Sequence, residues 1–132
     1  MEKTLSIIKP DAVERNLENE IKSFLKKNSL KILKSKKIKI SKEEALEFYK
    51  IHQTKPFYND LCDYLSSGPI YVMILEGEGA VAQNRRIMGA TNPLEAEEGT
   101  LRKLYGISID KNSVHGSDSV ENANTEINFF FK

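Results

Sequence analysis

The chain has 132 residues, with 20 Lys and Arg against 19 Asp and Glu, a formal net charge of +1 and 39% hydrophobic residues. This length fits one domain over residues 1–132, and the composition is that of a globular chain able to bury a core, which excludes a disordered tail. The single cysteine, Cys62, excludes both an internal disulfide framework and a thiolate zinc finger.

The N-terminal part of the chain predicts a strand, a helix and a second strand. Residues 4–8 form a short β-type run that ends at Lys9-Pro10-Asp11. Apolar residues at positions 13, 17, 21, 24 and 25 then recur at helical spacing until Asn28-Ser29. Isoleucines at 32, 38 and 40 stand among lysines, which predicts a strand with one solvated face. Neither a secretion signal nor a run of roughly 18 apolar residues occurs, so we expect a cytoplasmic protein that does not enter a membrane.

The lysine-rich segment, residues 22–42, contains nine lysines and no acidic residue. Such runs are usually the solvated face of an element, and this is the favoured interpretation. The alternative is a weak patch for a polyanion such as nucleic acid. Its only aromatic residue, Phe24, occupies a core-type helical position, so base stacking is not supported there.

The middle of the chain predicts two helices, a buried strand and a further helix. Ser41 and Glu44 have the spacing of a capping box, which predicts a helix to about residue 51. Pro56 separates it from a short helix over about 58–66. The unbroken apolar run over 70–75 predicts a central strand covered on both faces, and a helix over about 80–88 follows.

The C-terminal part predicts a long loop, a helix and a last strand. Residues 89–112 show little periodicity, and loops of that length in compact domains are usually functional. A helix over about 119–126 is expected to run into a strand over 127–131. The whole order predicts an α+β, ferredoxin-like split βαβ fold. Its four-stranded antiparallel sheet would carry helices on its faces, with a helical pair inserted between the second and third strands.

A glycine pattern, Gly77-x-Gly79-x-x-Ala82, stands where a dinucleotide fingerprint would lie, between a strand and a helix. Glu78 would place a carboxylate against the pyrophosphate, and no later strand ends in an acid for the ribose. We therefore interpret the two glycines as turn residues. The sequence also lacks the P-loop pattern G-x-x-x-x-G-K-[S/T].

Two histidines are candidates for chemistry near neutral pH. His52 lies near the end of a predicted helix, where a structural role is favoured. His115 lies among hydrogen-bonding residues, and an imidazole held at one nitrogen presents the other as a nucleophile. Glu126, at the predicted junction of the last helix and strand, is a candidate holder. A Ser-His-Asp hydrolase fits less well, since the sequence has no G-x-S-x-G elbow.

Other residues leave alternatives open at this point. The cations Lys9, Arg85 and Arg102 lie near the ends of predicted elements, where they would be either surface charges or phosphate ligands. Phe57 follows a proline between two short helices and would be either a core residue or an exposed stacking platform.

Five blocks of sequence, in order and spacing, resemble the nucleoside diphosphate kinase family over essentially the whole chain. They are residues 4–13 (TLSIIKPDAV), 67–69 (SGP), 88–93 (MGATNP), 99–102 (GTLR) and 112–119 (NSVHGSDS). The last block is similar to the active-site signature of the family.

The resemblance implies a nucleoside diphosphate kinase that maintains nucleoside triphosphate pools. His115 would take the γ-phosphoryl group of ATP and pass the group from a phosphohistidine to a nucleoside diphosphate, which is a ping-pong relay. Glu126 would hold the other ring nitrogen, and Ser117 would support Glu126. Lys9 and Tyr49 would face the transferred group. Mg²⁺ would arrive on the nucleotide phosphates, with no metal ligand supplied by protein side chains.

The resemblance also implies how the nucleotide is bound, with broad base specificity because stacking accepts any base. Lys9 and Asn112 would contact the sugar hydroxyls. The phosphate contacts would be Arg85, Thr91 and Arg102, and the base contacts would be Phe57 for stacking with Leu61 and Ile109 as apolar neighbours.

The family resemblance further implies a homo-oligomer, a tetramer or a hexamer, with the segment 89–112 packed at a subunit interface. Where family members commonly have glycines after Val13, this chain has Asn16, the non-glycine residue type that best tolerates left-handed geometry.

Two other classes of function are alternatives: a nucleic-acid-binding module using the lysine-rich segment, and a non-catalytic assembly protein. The complete set of site residues argues against the assembly protein.

Overall fold

Four antiparallel strands form the centre of the fold in the computed structural model of the chain, which describes residues 1–131. The strands are β1 (Glu2–Ile8), β2 (Lys31–Ile38), β3 (Ile70–Gly77) and β4 (Val114–Gly116). Their order in the sheet is β2-β3-β1-β4, and every neighbouring pair is antiparallel. The predicted ferredoxin-like split βαβ fold is confirmed.

Helices cover both faces of this sheet. They are α1 (Pro10–Glu14), α2 (Glu18–Lys27), α3 (Lys42–Phe48), α4 (Tyr58–Leu65), α5 (Ala80–Met88), α6 (Leu101–Tyr105) and α7 (Val120–Phe130), with 3₁₀ turns at Lys50–His52 and Pro93–Glu95. The predicted capping box is confirmed at the start of α3. There, Ser41 Oγ accepts from the backbone of Glu44 at 3.1 Å, and Glu44 Oε1 accepts from the backbone of Ser41 at 3.0 Å.

The core consists of two layers because successive strand residues point to opposite faces. On one face Ile8 and Met73 pack with Ile21 and Leu25 of α2. On the other face, Leu5, Ile7 and Val72 pack with α3, α4 and the end of α7, where Phe48, Leu65 and Phe130 are buried. The central strand predicted from the apolar run is β3, buried on both faces as expected. Within residues 1–131, no helix has both the length and the hydropathy that a membrane crossing requires.

The predicted C-terminal strand was wrong. Residues 127–130 continue α7, and the fourth strand is the three-residue β4 instead. Ala123, Ile127 and Phe130 follow one another at helical spacing. Ala123 is fully buried, and Ile127 and Phe130 pack with the core, so the amphipathic period outweighs the strand preference of Ile and Phe. Glu126 therefore lies inside α7 rather than at a junction of helix and strand.

Two further segments differ from the prediction. The first predicted helix is split into α1 and α2 at Asn16, whose φ of 58° is the left-handed geometry expected of that residue. The segment 89–112, predicted as a loop, contains a 3₁₀ turn and α6. Both helical pieces of this segment are too short to show a periodic pattern in the sequence.

Candidate active site

A cavity of about 520 Å³ lies beside β4, between the ends of β1, α3 and α6. Cavities of this size hold small molecules in other proteins. Every site residue named from the sequence lines this cavity except Ser117, which is fully buried behind Glu126. The lining residues that the sequence predicted are Lys9, Tyr49, Phe57, Leu61, Arg85, Thr91, Arg102, Ile109, Asn112, His115 and Glu126.

His115 occupies the middle of β4, opposite Ile7 of β1. Its Nε2 lies 3.0 Å from Oε1 of Glu126, which faces β4 from α7. Ser117 Oγ donates to the same carboxylate oxygen at 2.8 Å. A carboxylate accepts only, so Nε2 carries the proton and the lone pair lies on Nδ1, a tautomer assigned from this hydrogen bond. Among residues 1–131, no hydrogen bond engages Nδ1 of His115.

Two aromatic rings limit the motion of the imidazole. The ring centroids of Phe48 and Tyr49 lie 5.4 Å and 6.2 Å from that of His115, both in edge-to-face geometry. Burial, and secondarily the carboxylate of Glu126, raise the pKa of Tyr49. The Tyr49 hydroxyl is therefore protonated at neutral pH and is able to donate a hydrogen bond. The sequence did not identify Phe48 as a site residue, because only its position next to Tyr49 pointed to it.

Three cationic side chains line the cavity: Lys9, Arg85 and Arg102. None of them forms a salt bridge with another described residue. Burial lowers the pKa of Lys9 to about 8, and the charge of Arg102 adds to this effect. Burial, followed by the charge of Arg85, lowers the pKa of Arg102 to about 10. The charges of Asp11 and Asp110 offset part of this repulsion at Lys9. Close cations disfavour one another's charged form, so an anionic ligand such as a polyphosphate would stabilise them.

Hydrogen bonds hold two of these cations, Lys9 and Arg102, close to β4. The Lys9 amide donates to the Ser113 carbonyl at 2.8 Å, and Lys9 Nζ donates to Asn112 Oδ1 at 2.9 Å. Arg102 donates at 3.0 Å to the carbonyls of both Gly89 and Val114. Its Nε is buried without a partner among the described residues.

Phe57 lies at the mouth of the cavity, at the N-terminal boundary of α4. It is 45% exposed, which favours the stacking platform over the core alternative. Leu61 follows one turn later in α4, and Ile109 is also exposed at the cavity wall. These three side chains form an open apolar slot.

His52, favoured above as structural, lines the same cavity. Its ring centroid lies 6.1 Å from those of both Tyr49 and Phe57, and burial with the charge of Lys55 lowers its pKa. Six further lining residues have no role assigned from the sequence: Phe48, Ile51, Asp110, Gly116, Asp118 and Asn122. They belong to the end of α3 and the turn after it, to the loop before β4, and to the stretch from β4 into α7, which the fold brings together.

The described residues contain no group of three or more His, Cys, Asp or Glu side chains placed to hold a metal ion. Three carboxylates line the cavity. Glu126 is engaged by His115 and Ser117, Asp118 is exposed and accepts from Asn122, and Asp110 is exposed and acts through its charge on Lys9. This donor set fits a divalent cation whose ligands are mainly the phosphate oxygens of a nucleotide.

Comparisons with known proteins all point to one family. A family model described as "Nucleoside diphosphate kinase" matches residues 2–132. The nucleoside diphosphate kinase of Persephonella marina is 55% identical over 131 residues, which are 99% of this chain and 94% of that protein. That of Campylobacter concisus is 58% identical over 131 residues, 99% of this chain and 96% of that protein.

Solved structures agree with these relatives. A crystal structure of Aquifex aeolicus nucleoside diphosphate kinase has a TM-score of 0.97 at 37% identity, covering 99% of this chain and 95% of that one. The apo enzyme from Encephalitozoon cuniculi has a TM-score of 0.96 at 37% identity, covering 99% of this chain and 89% of that one.

Proposed function

The chain belongs to the nucleoside diphosphate kinase family, and on that premise we propose that His115 is the residue that carries the phosphoryl group between nucleotides. The activity of the chain is that of a nucleoside diphosphate kinase. The hydrogen bonding of the two ring nitrogens of His115 supports this proposal most directly. Glu126 holds Nε2 at 3.0 Å, and within residues 1–131 nothing bonds Nδ1, which belongs to a cavity lined by three cations.

The proposed reaction has two steps, the phosphorylation of His115 and the transfer of the phosphoryl group to a nucleoside diphosphate. Nδ1 of His115 attacks the γ-phosphorus of ATP, so that an N–P bond forms, the bond to the β-phosphate oxygen breaks and ADP leaves. The Nε2 proton stays in its hydrogen bond to Glu126, whose charge stabilises the phosphorylated ring. A terminal phosphate oxygen of a nucleoside diphosphate then attacks the same phosphorus, so that an O–P bond forms, the N–P bond to His115 breaks and the nucleoside triphosphate leaves.

Side chains around the cavity would neutralise the transferring phosphoryl group. Lys9 and Tyr49 would face it, and the remaining phosphates would meet Arg85, Thr91 and Arg102. Phosphoryl transfer depends chiefly on such positioning and charge neutralisation. Kinases of this family normally need a divalent metal. We propose Mg²⁺, which would be held mainly by the nucleotide phosphates and would offset their charge.

The base and sugar would be held loosely. Phe57 would stack on the base between Leu61 and Ile109, and Asn112 with Lys9 would contact the sugar hydroxyls. A stacking ring at an open cavity mouth accepts any base, which supports broad specificity for purine and pyrimidine nucleotides.

We also propose that residues 1–132 act as a single domain within a cytoplasmic homo-oligomer, a tetramer or a hexamer. Exposed apolar side chains on the segment 89–112 support subunit contacts there: Leu94 is 85% exposed and Ile107 is 58% exposed. A secondary role of the lysine-rich segment 22–42 in binding a polyanion is supported by charge alone, because its one aromatic residue, Phe24, packs against the core.

Labelling tests the role of His115. The protein is incubated with ATP labelled at the γ-phosphate and Mg²⁺, and we expect an acid-labile, base-stable phosphoprotein that loses its label to GDP or CDP. His115→Ala should take no label, whereas His52→Ala, the matched control, should still take it. An unlabelled wild type, or label that persists in His115→Ala, would contradict the proposal.

A further inference from the structure

Asp11 is a buried carboxylate that does not line the cavity, and the proposed reaction does not use it. Its Oδ2 accepts from Ser113 Oγ at 2.8 Å and from Arg15 Nη2 at 3.0 Å. Its Oδ1 accepts from the Tyr64 hydroxyl and from the Ser113 amide, the latter at 3.3 Å. Two of the four contacts of Asp11 therefore go to one residue, Ser113.

Ser113 has a φ of 75°, in the left-handed region that a residue with a side chain rarely adopts. The Val114 amide donates to the Asn112 carbonyl at 2.9 Å, which closes a three-residue γ-turn around Ser113. Turns of this kind are strained and persist only where surrounding contacts hold them.

This turn joins two parts of the proposed site. On one side is Asn112, whose side chain accepts from Lys9 Nζ, and on the other is β4 with His115. The turn therefore sets the direction in which β4 leaves Asn112. Any relaxation of Ser113 toward negative φ would change the placement of the imidazole relative to Lys9.

We propose that Asp11 is a positioning residue for phosphoryl transfer, because its carboxylate holds the strained turn at Ser113 and thereby the placement of His115 and Asn112. Arg15 completes this clamp by donating to Asp11, to Ser113 Oγ at 3.2 Å and to the Tyr105 carbonyl at 2.6 Å. The proposal rests on the proposed role of His115.

A double-mutant cycle separates this role from general stabilisation. Glycine adopts positive φ without strain, so the turn should need Asp11 less in a Ser113→Gly background. We expect Asp11→Asn to slow single-turnover phosphorylation of His115 about tenfold in the Ser113 background, as misplaced reactive groups do. In the Ser113→Gly background we expect a loss of less than about threefold. Asp63→Asn, which removes the exposed salt bridge to Lys42, is the matched control and should leave the rate unchanged.

A second measurement does not depend on activity. In hydrogen exchange, Asp11→Asn should increase exchange over residues 112–116 while β2, at the opposite edge of the sheet from β4, stays as protected as in the wild type. Equal rate losses in both backgrounds, no rate loss in either, or unchanged exchange over 112–116 would overturn the proposal. A wild type without label would instead overturn the role of His115, and the exchange result would still decide whether Asp11 holds the turn.

Discussion

Raising the pH through 8 should remove the charge of Lys9 from the free enzyme and weaken its capture of nucleotide. The pKa of Lys9 is lowered to about 8 by burial first and by Arg102 second, so the ammonium is present below this value and is lost above it. At pH 9 a group with a pKa of about 8 is protonated in about one molecule in eleven. If neutral Lys9 contributes nothing to phosphate binding, kcat/KM should fall about tenfold between pH 7 and pH 9.

The assay is the rate of nucleoside triphosphate formation from ATP and a nucleoside diphosphate, measured at saturating Mg²⁺ from pH 6 to pH 10. Bound phosphate favours charged Lys9, so kcat should hold to a higher pH than kcat/KM does. Lys9→Arg is the matched control, because a guanidinium keeps its charge up to pH 9. Its kcat/KM should be lower at pH 7 but nearly level to pH 9. Parallel declines of wild type and Lys9→Arg would refute the assignment of the fall to Lys9.

Four further predictions concern the cavity and its supporting residues. Glu126→Gln should slow His115 labelling roughly a hundredfold, since a neutral amide does not stabilise the phosphorylated ring, and a rate near that of the wild type would exclude this role. Phe57→Ala should raise KM for all nucleotides by similar factors, of roughly tenfold from lost stacking, and a change confined to one base would contradict stacking. Ser117→Ala should lower the free energy of unfolding in urea by about 1 kcal/mol, because the Oγ contacts to Glu126 and to the Leu5 amide are lost; an unchanged value would show that neither contact stabilises the fold. Chelation by EDTA should stop labelling and added Mg²⁺ should restore it, whereas labelling that continues in EDTA would contradict the need for a divalent cation.

The sequence alone determined most of the fold and the composition of the candidate site. Local sequence patterns were sufficient to predict the capping box at Ser41, the buried strand β3 and the bounds of α5. The structure contains all three. The signature around His115 named the family, which the comparisons confirm. The roles of the candidate site residues of this chain follow from the same resemblance and stay predictions.

Tertiary structure decided the features whose stability comes from distant partners. β4 has three residues and is a strand only because β1 pairs with it, whereas the segment 127–130 is helical because its apolar side chains pack against the sheet. The free nitrogen of His115 follows from the placement of α7, which brings Glu126 to Nε2. The clamp on Ser113 joins residues 102 positions apart, and no local pattern records a hydrogen bond across that distance.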